Sequence, residues 1–224
     1  MAAPIVIAVD GTAASGKGTL AKRLARHFNF AHLDSGSLYR LVALGVVQAH
    51  GDPANEADAL AAARAIDPKH GDDPAIRTAG IGNIASIVSA FPSVRASLLA
   101  FQRSFAATPP GSAKGAVIDG RDIGTVVCPD ATAKLFVDAR PEIRAHRRWL
   151  ELAAAAHPPA ESAILGEILA RDARDRGRAV APLRPAADAC LLDTSDLDID
   201  RAFAAALALV EPSVENALKA RQGG

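Results

Sequence analysis

The stretch IVIAVDGTAASGKGT, Ile5 to Thr19, limits the possible folds more than any other part of the chain. Ile5 to Val9 is a short run of apolar, mostly β-branched residues, which predicts a strand buried on both faces, as in a parallel sheet. Gly11 then breaks the run. GTAASGKG matches a phosphate loop, in which small residues let successive backbone N–H groups turn inward around phosphate oxygens and the next helix adds its positive end. Leu20, Leu24 and Phe28 recur at four-residue spacing, so an amphipathic helix follows. Gly11, Thr12, Ala13, Ala14, Ser15, Gly16, Lys17, Gly18 and Thr19 are therefore expected to bind ATP, with Lys17 reaching its β- and γ-phosphates.

Gly18 stands where many such loops carry the hydroxyl that ligates magnesium, and the hydroxyl arrives one place later, at Thr19. No protein ligand to the metal is then expected directly: Mg2+ would be held by ATP oxygens and water, with Asp119 orienting that water. The loop alone fits an ATPase, a GTPase or a kinase. No N-K-x-D guanine signature occurs, which counts against a GTPase.

The rest of the chain alternates strands with helices. AHLD (31–34), GAVIDG (115–120), KLFVDA (134–139) and a stretch near Ala189 to Asp193 read as further strands. Helices are expected over Ser35 to His50, over Ile84 to Ala107 as two separated at Phe91-Pro92, from Pro141, from about Glu161 to Arg176, and from Asp198. The segment between Gly51 and Gly80 promises short helices at most. This order predicts an α/β fold with a central five-stranded parallel sheet flanked by helices. Ligands bind beyond the carboxyl ends of such strands, where Asp10, Asp34, Asp119 and Asp138 fall.

Composition excludes some partners. The 25 basic and 25 acidic residues cancel, so no overall field draws the chain to nucleic acid or to an anionic membrane. Cys128 and Cys190, far apart and without a C-x-x-C spacing, read as buried small hydrophobes. The amino terminus has no basic leader and no apolar run long enough for a span, so a cytoplasmic protein is expected. With no apolar stripe left unassigned, a monomer is expected.

Two more segments carry chemistry. LDSGSLYR, residues 33–40, puts Ser35, Tyr39 and Arg40 just past a strand; Tyr39 fits a core position as well as a cleft. IDGRDIGTVV, residues 118–127, delivers Asp119, Arg121 and Asp122 from the end of a buried strand. GTAASGKGT, LDSGSLYR, NIASIVSAFPSVR, DGRDIGTVVCPDA and RDARDRGRAVAPLRPAADA, in that order, make the chain resemble the bacterial cytidylate kinases.

That resemblance implies a P-loop kinase fold in one domain: a core (about 1–34, 108–139 and 179–224), an NMP-binding region (about 35–107) and a helical lid (about 140–178). It implies transfer of phosphate from ATP to CMP or dCMP. A same-fold kinase for UMP or AMP, or an ATP-binding module without catalysis, are the other readings. The resemblance assigns Ser86, Arg95 and Asp122 to the pyrimidine edge; Arg40, Arg121 and Arg178 to phosphate; and Asp175 to the ribose. Cytosine's exocyclic amine is a donor that suits a carboxylate, and its O2 and N3 are acceptors that suit Arg or Ser. In the lid, Arg171, Arg174 and Arg178 form a basic stripe that Asp172 and Asp175 partly neutralise. Arg174 and Arg178 are the expected transition-state contacts beside Lys17 and Arg121, with Arg147 and Arg148 near the nucleotide and His146 on the surface. Members of that family usually carry a longer, β-rich insert where this chain has only residues 63–78.

Overall fold

The computed structural model describes residues 4–153 and 159–222. Residues 1–3, and His157 and Pro158 between the helices expected from Pro141 and from Glu161, lie outside them.

Five parallel strands, β1 (Ile5–Gly11), β2 (Ala31–Asp34), β3 (Gly115–Gly120), β4 (Ala133–Asp138) and β5 (Cys190–Asp193), form one sheet in the order β2-β3-β1-β4-β5. Every residue of β1 is buried, which explains the unbroken apolar run: Ile5, Ile7 and Val9 face one core, Val6 and Ala8 the other. The first core is closed by α1 (Lys17–Phe28) and α8 (Ile199–Gln222), through Leu20, Leu24, Ala206, Val210 and Val214.

Residues 35–107 have a core of their own. There α2 (Ser35–Gln48), α3 (Glu56–Ala65), α4 (Ala79–Val88) and α5 (Pro92–Ala107) pack around Leu38, Val42, Ile76, Val88 and Val94. Phe91-Pro92 separates α4 from α5 as expected, because Pro92 takes the first turn, where its missing N–H costs nothing. Residues 63–78 hold the end of α3 and two 3-10 turns, Pro68–His70 and Pro74–Arg77.

α6 (Pro141–Leu152) pairs with α7 (Glu161–Arg176) over a small cluster of Ala145, Ile164 and Ile168, against which Ala14 of the phosphate loop and Trp149 also pack. The cysteines depart from expectation: Cys128 and Cys190 are only half-buried, since one ends a short π-helical segment (Ile123–Val127) and the other opens an edge strand. Among the described residues no single helix is long and apolar enough to cross a membrane.

Candidate active site

A cleft of about 610 Å³ runs along the carboxyl ends of the strands, between the phosphate loop, the start of α2, the 119–122 turn and α7. Its lining carries eight Lys or Arg side chains against six carboxylates, so an anion is favoured there although the whole chain is neutral.

The loop is built as its sequence requires. Gly16 caps α1 with φ 85°, a left-handed conformation that favours glycine. The loop carbonyls find partners behind it: Ser15 Oγ and Lys17 Nζ donate to the Thr12 carbonyl at 3.0 and 3.2 Å, and Thr194 Oγ1 donates to the Ser15 carbonyl at 3.0 Å. Thr12 itself is buried and donates to Asp138 Oδ1 at 2.6 Å. Residues 13–19 line the cleft. Burial, then the nearby Arg121 cation, pull the Lys17 ammonium down to about 7. An amine held that low has room for a strong anionic partner.

The opposite wall holds arginines. Arg121 Nε donates to Asp175 Oδ2 at 2.9 Å, and Arg178 pairs with Asp175 Oδ1. Arg40 is braced by the Ile76 carbonyl at 2.8 Å, and Arg171 faces the same space. Burial, then Arg121, lower Arg171 from its usual range, yet it stays a cation at neutral pH. The Nε atoms of Arg171 and Arg178 are buried without a hydrogen-bond partner. Buried cationic donors of this kind favour an anionic partner.

At one end of the cleft Arg95 pairs with Asp122 Oδ2, donates to the Ser89 carbonyl at 3.2 Å, and stands 5.4 Å over the Tyr39 ring. Tyr39 does both things considered for it: it packs in the core of residues 35–107 and lines the cleft. The buried carboxylate of Asp10 holds the turn in place, accepting the Ile123 and Gly124 N–H groups at 2.8 and 2.7 Å. Gly120 is required by crowding, since a Cβ there would lie 2.5 Å from Ser35 Oγ. That hydroxyl donates to the Asp119 carbonyl at 2.7 Å.

Most expected residues converge, but Gly11 and Thr12 of the loop are buried and do not line the cleft, and three others depart as well. Ser86 is buried with its hydroxyl 3.5 Å from Asp175 Oδ1, and Ser89 lines the cleft in its place. Arg174 is exposed and donates to Ser86 Oγ at 3.3 Å, whereas Arg171 lines the cleft. Arg148 pairs with Glu151 at 2.7 Å, while Arg147 reaches the Thr194 carbonyl at 2.6 Å and lines the cleft. His146 is on the surface beside Glu161, as expected. Asp172 turns away from the stripe and pairs with Arg144. Sequence reasoning passed over Arg77, which pairs with Asp34 at 3.1 Å and lines the cleft. Burial alone would raise Asp34, but the Arg77 guanidinium holds it below its usual value.

Among the described residues no group of three or more His, Cys, Asp or Glu is placed to chelate a metal by itself. Asp119 is the oxygen donor nearest the loop's odd glycine: its Oδ1 is bonded to His32 Nε2 at 2.8 Å, and its Oδ2 lies 3.6 Å from where a side chain at Gly18 would begin.

Residues 7–212 match the family described as cytidylate kinase. The chain belongs to that family. Cytidylate kinases of Rhodopseudomonas palustris (strain TIE-1) and Nitrobacter winogradskyi are 55% and 56% identical to it over 207 residues, covering 92% of this chain and 96% of each relative. The fold is also like that of an uncharacterized protein from Eubacterium ventriosum, with a TM-score of 0.54 at 16% identity over 92% of this chain and 98% of that one. In this cleft the phosphate loop faces a wall of arginines, and the Arg95–Asp122 pair stands at one end.

Proposed function

We propose that the chain transfers the γ-phosphoryl group of ATP to CMP or dCMP, giving CDP or dCDP and ADP, in pyrimidine nucleotide metabolism. The observation that carries this reading is the meeting of the Lys17 loop with Arg40, Arg121, Arg171 and Arg178 in one cleft that ends in the Arg95–Asp122 pair.

The roles follow from charge. The loop amides and Lys17 hold the donor phosphates, and Arg147, beside Thr194, borders the nucleotide's far end. Arg40 and Arg121 hold the acceptor phosphate, and Arg171 and Arg178 meet the charge that spreads over the transferred group. The acceptor phosphate is already ionised, so no general base is needed. Asp122 accepts from the cytosine amine, while Arg95 offers donors to O2 or N3; uracil reverses this pattern at N3 and position four. Asp175, between Arg121 and Arg178, serves the ribose.

Mg2+ fits the site as a companion of ATP. Gly18 leaves the space beside Asp119 Oδ2 open, and a carboxylate oxygen is the hard donor this ion or its water prefers. When bound, it offsets charge on the phosphate oxygens. Residues 35–107 act as the acceptor-binding unit and 140–178 as the lid of a cytoplasmic monomer.

A coupled assay of ADP release with CMP, dCMP, UMP and AMP tests the reading. CMP and dCMP are expected to be the good acceptors. Equal turnover of AMP would remove the cytosine claim, and ATP binding without acceptor-dependent ADP release would leave only a nucleotide-binding module.

A further inference from the structure

Arg144 is 1% exposed, the bulkiest of the fully buried side chains, and it lies outside the cleft. Its guanidinium is spent on three separate pieces of the fold. Nε donates to the Ala139 carbonyl at 2.8 Å, just past β4; Nη1 donates to the Ala13 carbonyl at 3.2 Å, on the outer side of the phosphate loop; and Nη2 donates to Asp172 Oδ2 at 2.7 Å, on α7. Asp172 has little other compensation. Its Oδ1 is buried without a hydrogen-bond partner, and the exposed Arg176 stands 3.9 Å from Oδ2.

A buried ion pair of this kind gives little net stability, because desolvating both charges offsets their attraction; what it supplies is geometry. The planar fork fixes two donors at once in direction and distance, which a flexible apolar contact cannot do. Here the fork joins the loop to the helix turn that carries Arg171, the residue adjacent to Asp172. The packing of Ala14 against Ala145, Ile164 and Ile168 ties the same two parts together with apolar contact.

We propose that Arg144 is a positioning residue for phosphoryl transfer: by binding the Ala13 carbonyl and Asp172 together, it sets Arg171 at a fixed place relative to the phosphate loop. The proposal rests on the reading of Arg171 as a transition-state contact. A lysine at 144 keeps the charge and most of the volume but loses the fork.

The test is a double-mutant cycle in steady-state kinetics on the full chain, with thermal melting to confirm folding. Arg144→Lys is expected to lower kcat about 10-fold, with the KM values for CMP and ATP within about 3-fold of the parent. In an Arg171→Ala background the same change is expected to move kcat by less than about 2-fold, because the group it positions is gone. Asp172→Asn, which keeps the volume and one acceptor oxygen, loosens the contact from the other side and is expected to follow the same pattern; it replaces Arg144→Lys if that variant does not fold. An equal loss of kcat in both backgrounds, or a raised KM for ATP with kcat unchanged, overturns the proposal. Full activity of Arg171→Ala would instead remove the role of Arg171 and this proposal with it.

Discussion

Arg95 and Asp122 pair at one end of the cleft, 8% and 5% exposed, with the Arg95 guanidinium held against the Tyr39 ring. A nucleobase that enters there must offer a donor to the carboxylate and an acceptor to the guanidinium. Asp122→Asn keeps the shape but changes one acceptor oxygen to a donor. It is expected to lower kcat/KM for CMP by about 100-fold, the scale of a buried charged hydrogen bond lost in recognition, while KM for ATP stays within about 3-fold. Unchanged CMP-over-UMP preference would refute the assignment.

The arginine stripe gives a contrast between neighbours. Arg171→Ala is expected to lower kcat by about 100-fold or more, and Arg174→Ala by less than about 3-fold, since only the first faces the cleft. Equal effects in the rate assay would count against the cleft-facing role of Arg171.

Lys17 links nucleotide binding to protons. In the free cleft its ammonium is held near pH 7, and bound phosphate favours the charged form. Calorimetry at pH 8 in buffers of different ionisation enthalpy is expected to show uptake of up to about one proton per ATP, with affinity falling as pH rises above about 7. The linkage to folding has the opposite trend. The unfolded lysine binds more protons than the folded one between about 7 and 10.5, so this group's contribution to stability improves as pH rises through that window. No proton uptake at pH 8 would contradict this picture of Lys17.

Asp10 titrates in the other sense. Burial raises its carboxyl to about 7 against the opposing pull of the Gly124 and Ile123 N–H groups. The folded state therefore binds more protons than the unfolded state between about 4 and 7, and this group's contribution to stability falls as pH rises through that range. Urea unfolding at pH 5 and 7.5 is expected to show the parent losing stability relative to Asp10→Asn. A constant difference between the two proteins would contradict it.

The sheet and the phosphate loop were legible because their signals are local: a buried strand needs an unbroken apolar run, and an amide cradle needs small residues followed by Gly16-Lys17. The bounds of β2, β3 and α7 agree with the residues expected for them. The side chains chosen on α7 were less legible. Arg171, Arg174 and Arg178 look equivalent as spacings of three and four, but placing Asp175 in the site already selects its i−4 neighbour, Arg171, and turns Arg174 outward. Ser86 and Ser89 differ by the same three residues on α4 and the turn after it. Arg77 carried no local signal at all, because its pairing with Asp34 depends on how the 3-10 turn at Pro74–Arg77 folds back across 43 residues of chain.

One mixture tests the central claim most directly: γ-labelled ATP, Mg2+ and equal amounts of CMP, UMP and AMP, with the labelled products separated at low conversion. Product ratios then report relative kcat/KM, and label is expected in CDP over UDP and ADP by more than about tenfold. Label spread evenly among the three diphosphates, or released as inorganic phosphate whether or not an acceptor is present, would contradict the account.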